Sequence, residues 1–343
     1  MKPKIKMISA LWLLAMLTSV TIAAAQEKTK KYSESWPVNS VQTLVVNNRF
    51  GQINVTDRGG SNITIDVVVT VEAPERRANE LLDMIDVSFG KTGSTVTAET
   101  HISRNFQSRS KFSINYEINI PPDKNLDITN KYGNTFVNIL NATGTFDIQY
   151  GNISVNELNT PQPASMNLAY GKSNIESARD LNVTVQYSNM TFGRTGDMKL
   201  NSKYTVVNLD QAGSIDTESR YDTFNFGNIQ SLSANTRYTQ VKVNELAGNL
   251  KVDAGYGGIK IGNVNQFESI HVTSSYGQVS LGLGDASYSL DASCNYCGIS
   301  FPENNYKGDR ISDNHTRTIK GKVGSGSGGT VYVWSRYGEI KLN

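Results

Sequence analysis

The chain is poor in the residues on which most active sites depend. Its 343 residues contain two cysteines and three histidines. His101, His271 and His315 lie too far apart in sequence to assemble a catalytic triad. The cysteines, Cys294 and Cys297, stand in Cys-Asn-Tyr-Cys with no histidine or second cysteine pair close by, which argues against zinc. A redox-active pair wants a helix N-terminus to lower a thiol pKa, and the surrounding pattern is strand. A local disulfide and a packed pair of free thiols both fit. Only Glu75–Met84 reads as a good helix, opened by Pro74 at its first turn. The Gly-Ser run 324–329 lacks the Lys-Ser/Thr ending of a phosphate cradle and leads into a strand. No catalytic group, cofactor or metal is expected.

Long apolar runs are also missing, except at the start. Lys2, Lys4 and Lys6 precede an apolar stretch from Ile8 to Ile22, and Ala23-Ala24-Ala25 precede Gln26. Residues 1–25 therefore read as a secretory signal, with no cysteine nearby for a lipid anchor. No other segment suits a membrane-spanning helix. Without the three leader lysines, 30 Lys and Arg face 31 Asp and Glu, a net charge of −1. So near-neutral a chain offers nothing for bulk binding to nucleic acid. The expected location is exported: periplasm, outer-membrane surface or secreted.

What the chain does have is tyrosine at a fixed period. Tyr187, Tyr204, Tyr221, Tyr238 and Tyr256 are 17, 17, 17 and 18 residues apart. Apolar residues fall six and four before each ring, a mostly small residue two before it, and apolar residues three and five after it. Leu250, Val252, Ala254, Tyr256, Ile259 and Ile261 are one example. The alternation is that of a strand, and its phase slips by one at the tyrosine. A slip would turn later side chains to the other face unless the chain bends there. Glycine follows the aromatic in Gly51, Gly133, Gly151, Gly171, Gly257, Gly277 and Gly338, which places the bend one or two residues after the ring. Each repeat is strand, bend, strand, turn, and buries its apolar edge only by stacking on its neighbours. The expected fold is all-β, a single-stranded β-helix or β-solenoid of 17–20-residue coils. Tyr132, Tyr150 and Tyr170 extend the series upstream, and Tyr276, Tyr296 and Tyr337 downstream, with Phe50 as an outlying copy. Eleven tyrosine coils make a rod about 50 Å long at the usual strand spacing.

In chain order, residues 26–40 read as a flexible lead. Residues 41–124 hold the first coil and a sheet-plus-helix cap, with strands at Asn62–Glu72, Ser94–Ile102 and Lys111–Ile120. Residues 125–343 are solenoid repeats, with a Gly/Ser-rich excursion at 302–330 and a final coil that closes the rod. An uncapped solenoid end is an open strand edge, so a cap is expected.

Several stretches carry a resemblance: Phe50-Gly51-Gln52-Ile53-Asn54-Val55, Ile118-Asn119-Ile120-Pro121, Tyr150-Gly151-Asn152-Ile153-Ser154-Val155, and Gly324 through Tyr337-Gly338-Glu339-Ile340-Lys341-Leu342. Across residues 41–342 the chain resembles the bacterial "putative adhesin" domains of unknown function, β-solenoids that include a head-GIN-type auto-transporter adhesin head domain. The resemblance implies adhesion and supplies no catalytic residues. The chain departs from the family in its regular tyrosine and in Ser188, Thr205, Asp222, Thr239 and Cys297, which replace the glycine.

The tyrosines read either as rings stacked inside or at the corner of the rod with the hydroxyl reaching water, or as an exposed sugar-stacking strip. Their parity with the inward residues favours the first. The residue before each ring points outward, and Lys203, Arg220 and Arg237 fall there in three consecutive coils. Stacked like charges repel, so either Glu218 and Asp222 neutralise them or the strip takes an acidic glycan or a phosphate. Recurrent asparagines (Asn134, Asn152, Asn156, Asn208, Asn225) read as satisfying the turns. Asp127, Asp147 and Asp253 do not by themselves define a glycosidase pair. The expected function is a non-catalytic, adhesin-like binding or structural module of the cell envelope, with a glycan, an envelope component or a protein as partner. The alternatives are a polysaccharide lyase or hydrolase on a β-helix, and a self-assembling filament.

Overall fold

The structure, a computed structural model, describes residues 26–343; the secretory signal expected at 1–25 lies outside the described residues. Successive repeats stack as parallel strands in exact register. On one face Val183, Leu200, Thr217, Ala234, Val252 and Val272 sit beside one another. On the other, Met190, Val207, Phe224, Val241, Ile259, Val279 and Ile340 do the same. All of these side chains are at most 5% exposed, so one apolar column runs up the rod. Each large side chain buried there contributes about 1.5–3 kcal/mol. The β-solenoid expected from the periodicity is the fold.

The bend is placed differently from the expectation. The aromatic itself takes the left-handed backbone conformation, with φ between 51° and 62° at Phe50 and all eleven ladder tyrosines. One such residue between two extended strands turns the chain and restores the inward phase, which accounts for the slip in the sequence. The conformation costs an ordinary side chain about 1–2 kcal/mol. Each interior ring stacks on two neighbours, worth about 0.5–1.5 kcal/mol per pair, and this offsets the cost. Glycine follows for a different reason. A Cβ on Gly257 would run into the Thr239 carbonyl of the coil before, so close do the two corners pass.

Both ends are capped. Residues 26–37, expected to be flexible, form a strand that pairs antiparallel with Asn62–Ala73 along its whole length. Its lysines and glutamates are those of a protected edge strand, with no apolar alternation to give it away. Asn62–Ala73 pairs in turn with Lys111–Asn119, and the helix Glu75–Asp83 packs on this sheet through Ala78, Leu81 and Leu82. Thr43–Arg49 pairs with both Thr95–Ile102 and Asn125–Lys131, so the Phe50 coil is the first rung and the cap is an insertion after it.

At the far end the excursion is a hairpin, Tyr306–Asp313 with Thr316–Val323, which covers the edge of Tyr288–Asn295. The last strands do not close the rod. Thr330–Arg336 runs between Ser269–Ser275 and Tyr288–Asn295, parallel to both. Ile340–Leu342 likewise lies between Val279–Leu281 and Ile299–Ser300. The rungs therefore run Tyr276, Tyr337, Tyr296, and the chain's final coil is the second from the end.

Two predictions follow from the corner and the core. Tyr204→Ala loses two stacking contacts and lowers stability by about 1–3 kcal/mol. Tyr204→Gly is the less damaging change, because glycine relieves the left-handed strain; urea midpoints of the two variants decide this, and an alanine variant more stable than the glycine one contradicts it. The second concerns Tyr288, fully buried with a hydroxyl that has no hydrogen-bond partner in the protein. Burial pushes its phenol up to about 12 and also raises that of Tyr116. A phenol held neutral in the folded state stabilises below its unfolded value near 10, and this contribution is lost as pH rises above it. Denaturation midpoints are expected to fall above about pH 10, less steeply in Tyr288→Phe. At pH 7 that variant gains about 1 kcal/mol by removing the orphan hydroxyl.

Candidate functional site

From Phe50 to Tyr276 each ring stacks on the next at 4.7–5.0 Å, with interplanar angles of 1–16°. Tyr337 and Tyr296 continue the column. The tyrosine rings stand outside the apolar column, 42–54% exposed, while Phe50 is half-buried. Their faces are nonetheless occupied. Phe112 from the first cap lies against Phe50 at 5.1 Å, and His315 from the terminal hairpin stacks on Tyr296 at 4.5 Å. Sugar recognition by aromatic stacking needs a free ring face, and this column offers edges and hydroxyls. The corner arrangement of stacked rings with wet hydroxyls is the one observed.

Of the three cations preceding the rings, Arg237 is committed. Its Nη1 donates to Asp253 Oδ1 at 3.1 Å and to the Thr236 carbonyl at 2.8 Å. The Lys203 ammonium lies 5.4 Å from the centre of the Tyr204 ring. Arg220 stands between them in register, and the row ends at Gly255. Asp222, expected to balance them from outside, is turned inward and 4% exposed. It accepts from the Thr205 and Arg220 amides and from the Ser202 and Ser219 hydroxyls, at 2.6–3.1 Å. Ser188, Thr205 and Thr239 are buried at the same corner position, and the Thr239 hydroxyl accepts from the Asp222 amide. In these coils side-chain oxygens fill the space that glycine leaves to the backbone elsewhere.

Cys294 and Cys297 are joined as a disulfide across the Tyr296 corner, with Cα atoms 5.6 Å apart. The asparagines bond along the stack: at the corner Asn134 Oδ1 accepts from the Asn152 amide, whereas the Asn225 side chain donates to that of Asn208 between neighbouring strands. The histidines are separate. His101 meets Ser88 in the first cap, His271 stacks on Tyr332, and His315 caps the ring column. Asp127, Asp147 and Asp253 lie in different rungs, and no two are register partners. Among the described residues no three His, Cys, Asp or Glu side chains cluster as a metal site would need.

The concavity missed by sequence reasoning is a groove of about 1010 Å³ along the opposite corner. One rim is the outward row Asn182, Lys199, Asp216, Ser233, Lys251 and His271, in register across six coils. The other includes Asp180, Asp197, Ser214 and Asn249. That rim is fixed by side chains that accept the next coil's amides: Asp180 from Asp197, Asp197 from Ser214, and Asn249 from Ser269. Between the rims run Leu181, Met198, Ile215, Leu232 and Leu250, whose side chains are buried in the core, so the floor is their backbone. Five strand spacings give it a length of about 24 Å. Its signal in the sequence was the small or short polar residue recurring beside the first inward position of each coil, which reads as ordinary turn chemistry.

Comparison with known families decides the kinship. A model for Toastrack DUF4097 matches residues 41–342. The chain belongs to this family. No curated protein matches the Toastrack chain. Among solved structures, a "putative adhesin" from Bacteroides fragilis NCTC 9343 is 10% identical, with 92% of this chain and 97% of the other covered at a TM-score of 0.35. One from Parabacteroides merdae ATCC 43184 is 11% identical, with 74% and 96% covered at 0.34. A "putative lipid binding protein" from Parabacteroides distasonis ATCC 8503 is 9% identical, with 73% and 96% covered at 0.30. The Toastrack chain thus has adhesin-named neighbours, and among the described residues no helix is long and apolar enough to cross a membrane.

The buried carboxylate at the corner is open to test. Asp222→Ala removes the acceptor of two hydroxyls and two amides and is expected to cost about 3 kcal/mol in urea denaturation. A loss within 0.5 kcal/mol, the range of a neutral surface change, contradicts the inward network.

Proposed function

We propose that this Toastrack chain is an exported, non-catalytic binding module of the cell envelope that holds an extended glycan along the groove from Asp180 to His271. The groove itself carries the reading. It is long and parallel to the rod, and its rims repeat a polar side chain at every strand. A polymer with hydroxyls on both edges matches that pattern, because rim groups can bond hydroxyls at each rung. The regularity suits a repeating ligand, because each rung presents a similar edge at the same pitch. The leader at 1–25 and the adhesin-named neighbours support export and attachment.

Two other readings have less support. A polysaccharide-cleaving enzyme needs an acid and a base that converge on one bond, and the groove's carboxylates are spread along it. Two of them, on Asp180 and Asp197, are occupied by backbone amides. End-to-end filaments need open edges, and both ends here are covered by antiparallel strands and an aromatic lid.

The test places bulk in the groove without touching the core. Ser233 is exposed at its centre. The mature protein is screened against an array of neutral oligosaccharides, and hits are titrated against Ser233→Trp. The expected outcome is binding without release of new reducing ends, weakened at least tenfold, about 1.4 kcal/mol, by the substitution. Undiminished binding in Ser233→Trp, or cleavage of the bound glycan, overturns the proposal.

A further inference from the structure

A second groove, of about 740 Å³, lies on the far side of the ring column and shares no residue with the first. Its inner wall is the ridge of Tyr256 and Tyr276, both about half exposed. Its floor is the backbone at Phe224, Val241 and Ile259, whose side chains point into the core. Its outer wall includes Lys242 and Lys260, register partners on adjacent strands. Between the walls runs the row Thr223, Gln240, Gly258 and Gln278. Gly258 carries no side chain, and the Gln240 side chain fills that space, its carbonyl accepting the Gly258 amide at 3.1 Å.

The charges in this groove are unlike those of the row before the rings. Lys242 and Lys260 are both exposed, and no carboxylate lies within 4.0 Å of either ammonium among the described residues. Asn225 precedes them in register and Ser280 follows. Two like charges are thus held one strand spacing apart, about 4.8 Å, with only neutral groups in line with them. Repulsion between them is relieved by anions at the same pitch. Lysine supplies compact charges without the planar fork that grips a single phosphate. The glutamine amides and tyrosine hydroxyls beside them suit hydroxyl groups.

We propose that this groove binds a stretch of acidic polysaccharide, with carboxylates of successive uronic-acid residues on Lys242 and Lys260 and sugar hydroxyls on Gln240, Gln278 and the tyrosine edges. The ligand lies along the rod because the two ammoniums are aligned along it. This site stands apart from the neutral-glycan groove, so each can fail without the other.

The experiment is a titration of the mature protein with an oligouronate of about four sugars, on the order of the four-rung length of the groove, at low and at physiological salt. A neutral oligosaccharide of equal length, inorganic phosphate and vesicles containing anionic lipid serve as the other arms. Expected is binding of the oligouronate that weakens at least tenfold in Lys242→Ser/Lys260→Ser and weakens with added salt. Gly258→Gln, which displaces the Gln240 side chain and leaves the charges in place, is expected to weaken it as well. The double variant keeps its circular dichroism spectrum and its behaviour at the groove of Ser233. The proposal is overturned if the double variant binds the oligouronate as tightly as the parent. It is overturned equally if phosphate binds as tightly, if the neutral oligosaccharide binds as tightly and is weakened by the double variant, or if vesicles capture the protein through Lys242 and Lys260 while the oligouronate does not.

Discussion

Everything in this molecule rests on register between rungs. A parallel strand pairs with the strand above and the strand below, so a displaced rung loses hydrogen bonds on two sides and misaligns its inward residues with the column. The aromatic corner enforces the alignment. A ring in the left-handed conformation is tolerable only when it lies against another ring, which happens only when neighbouring corners coincide. The backbone strain and the stacking thus form one device, repeated at Phe50 and eleven tyrosines.

The same constraint explains the surface. Because every rung repeats the last, outward residues line up in rows, and any one position along the coil becomes a stripe along the rod. Some stripes are internally satisfied. The side-chain ladders of Asn134 with Asn152 and of Asp180 with Asp197 spend their polar atoms on turns. Others are left to solvent, as in Asn182 through His271, or in Lys242 with Lys260. An array of this kind suits recognition of a polymer, whose own groups recur at a fixed pitch.

Much of this was legible in the residues. The 17-residue spacing of Tyr187 to Tyr256 and the alternation around each ring define the solenoid, and Pro74 with Leu81 and Leu82 marks the helix. The phase slip located the bend to within a residue. It pointed at the following glycine, because glycine is the usual host of left-handed backbone, whereas Gly257 is needed for the close passage of Thr239 and the tyrosine carries the turn. The edge strand 26–37 was hidden because an edge strand needs no apolar face. Asp222 looked external because carboxylates seldom go inside, and only the assembled corner reveals its four donors. Grooves are properties of neighbouring coils together, so no single repeat discloses one.

The placement of residues 330–342 separates the order of synthesis from the order of assembly. A rod wound turn by turn from the amino end would seat Tyr296 directly on Tyr276 and leave no berth for Tyr337. The penultimate layer is supplied by the closing segment, which is flanked on both sides by segments that precede it in the chain. Like a keystone, it joins the disulfide-bearing corner to the body of the solenoid.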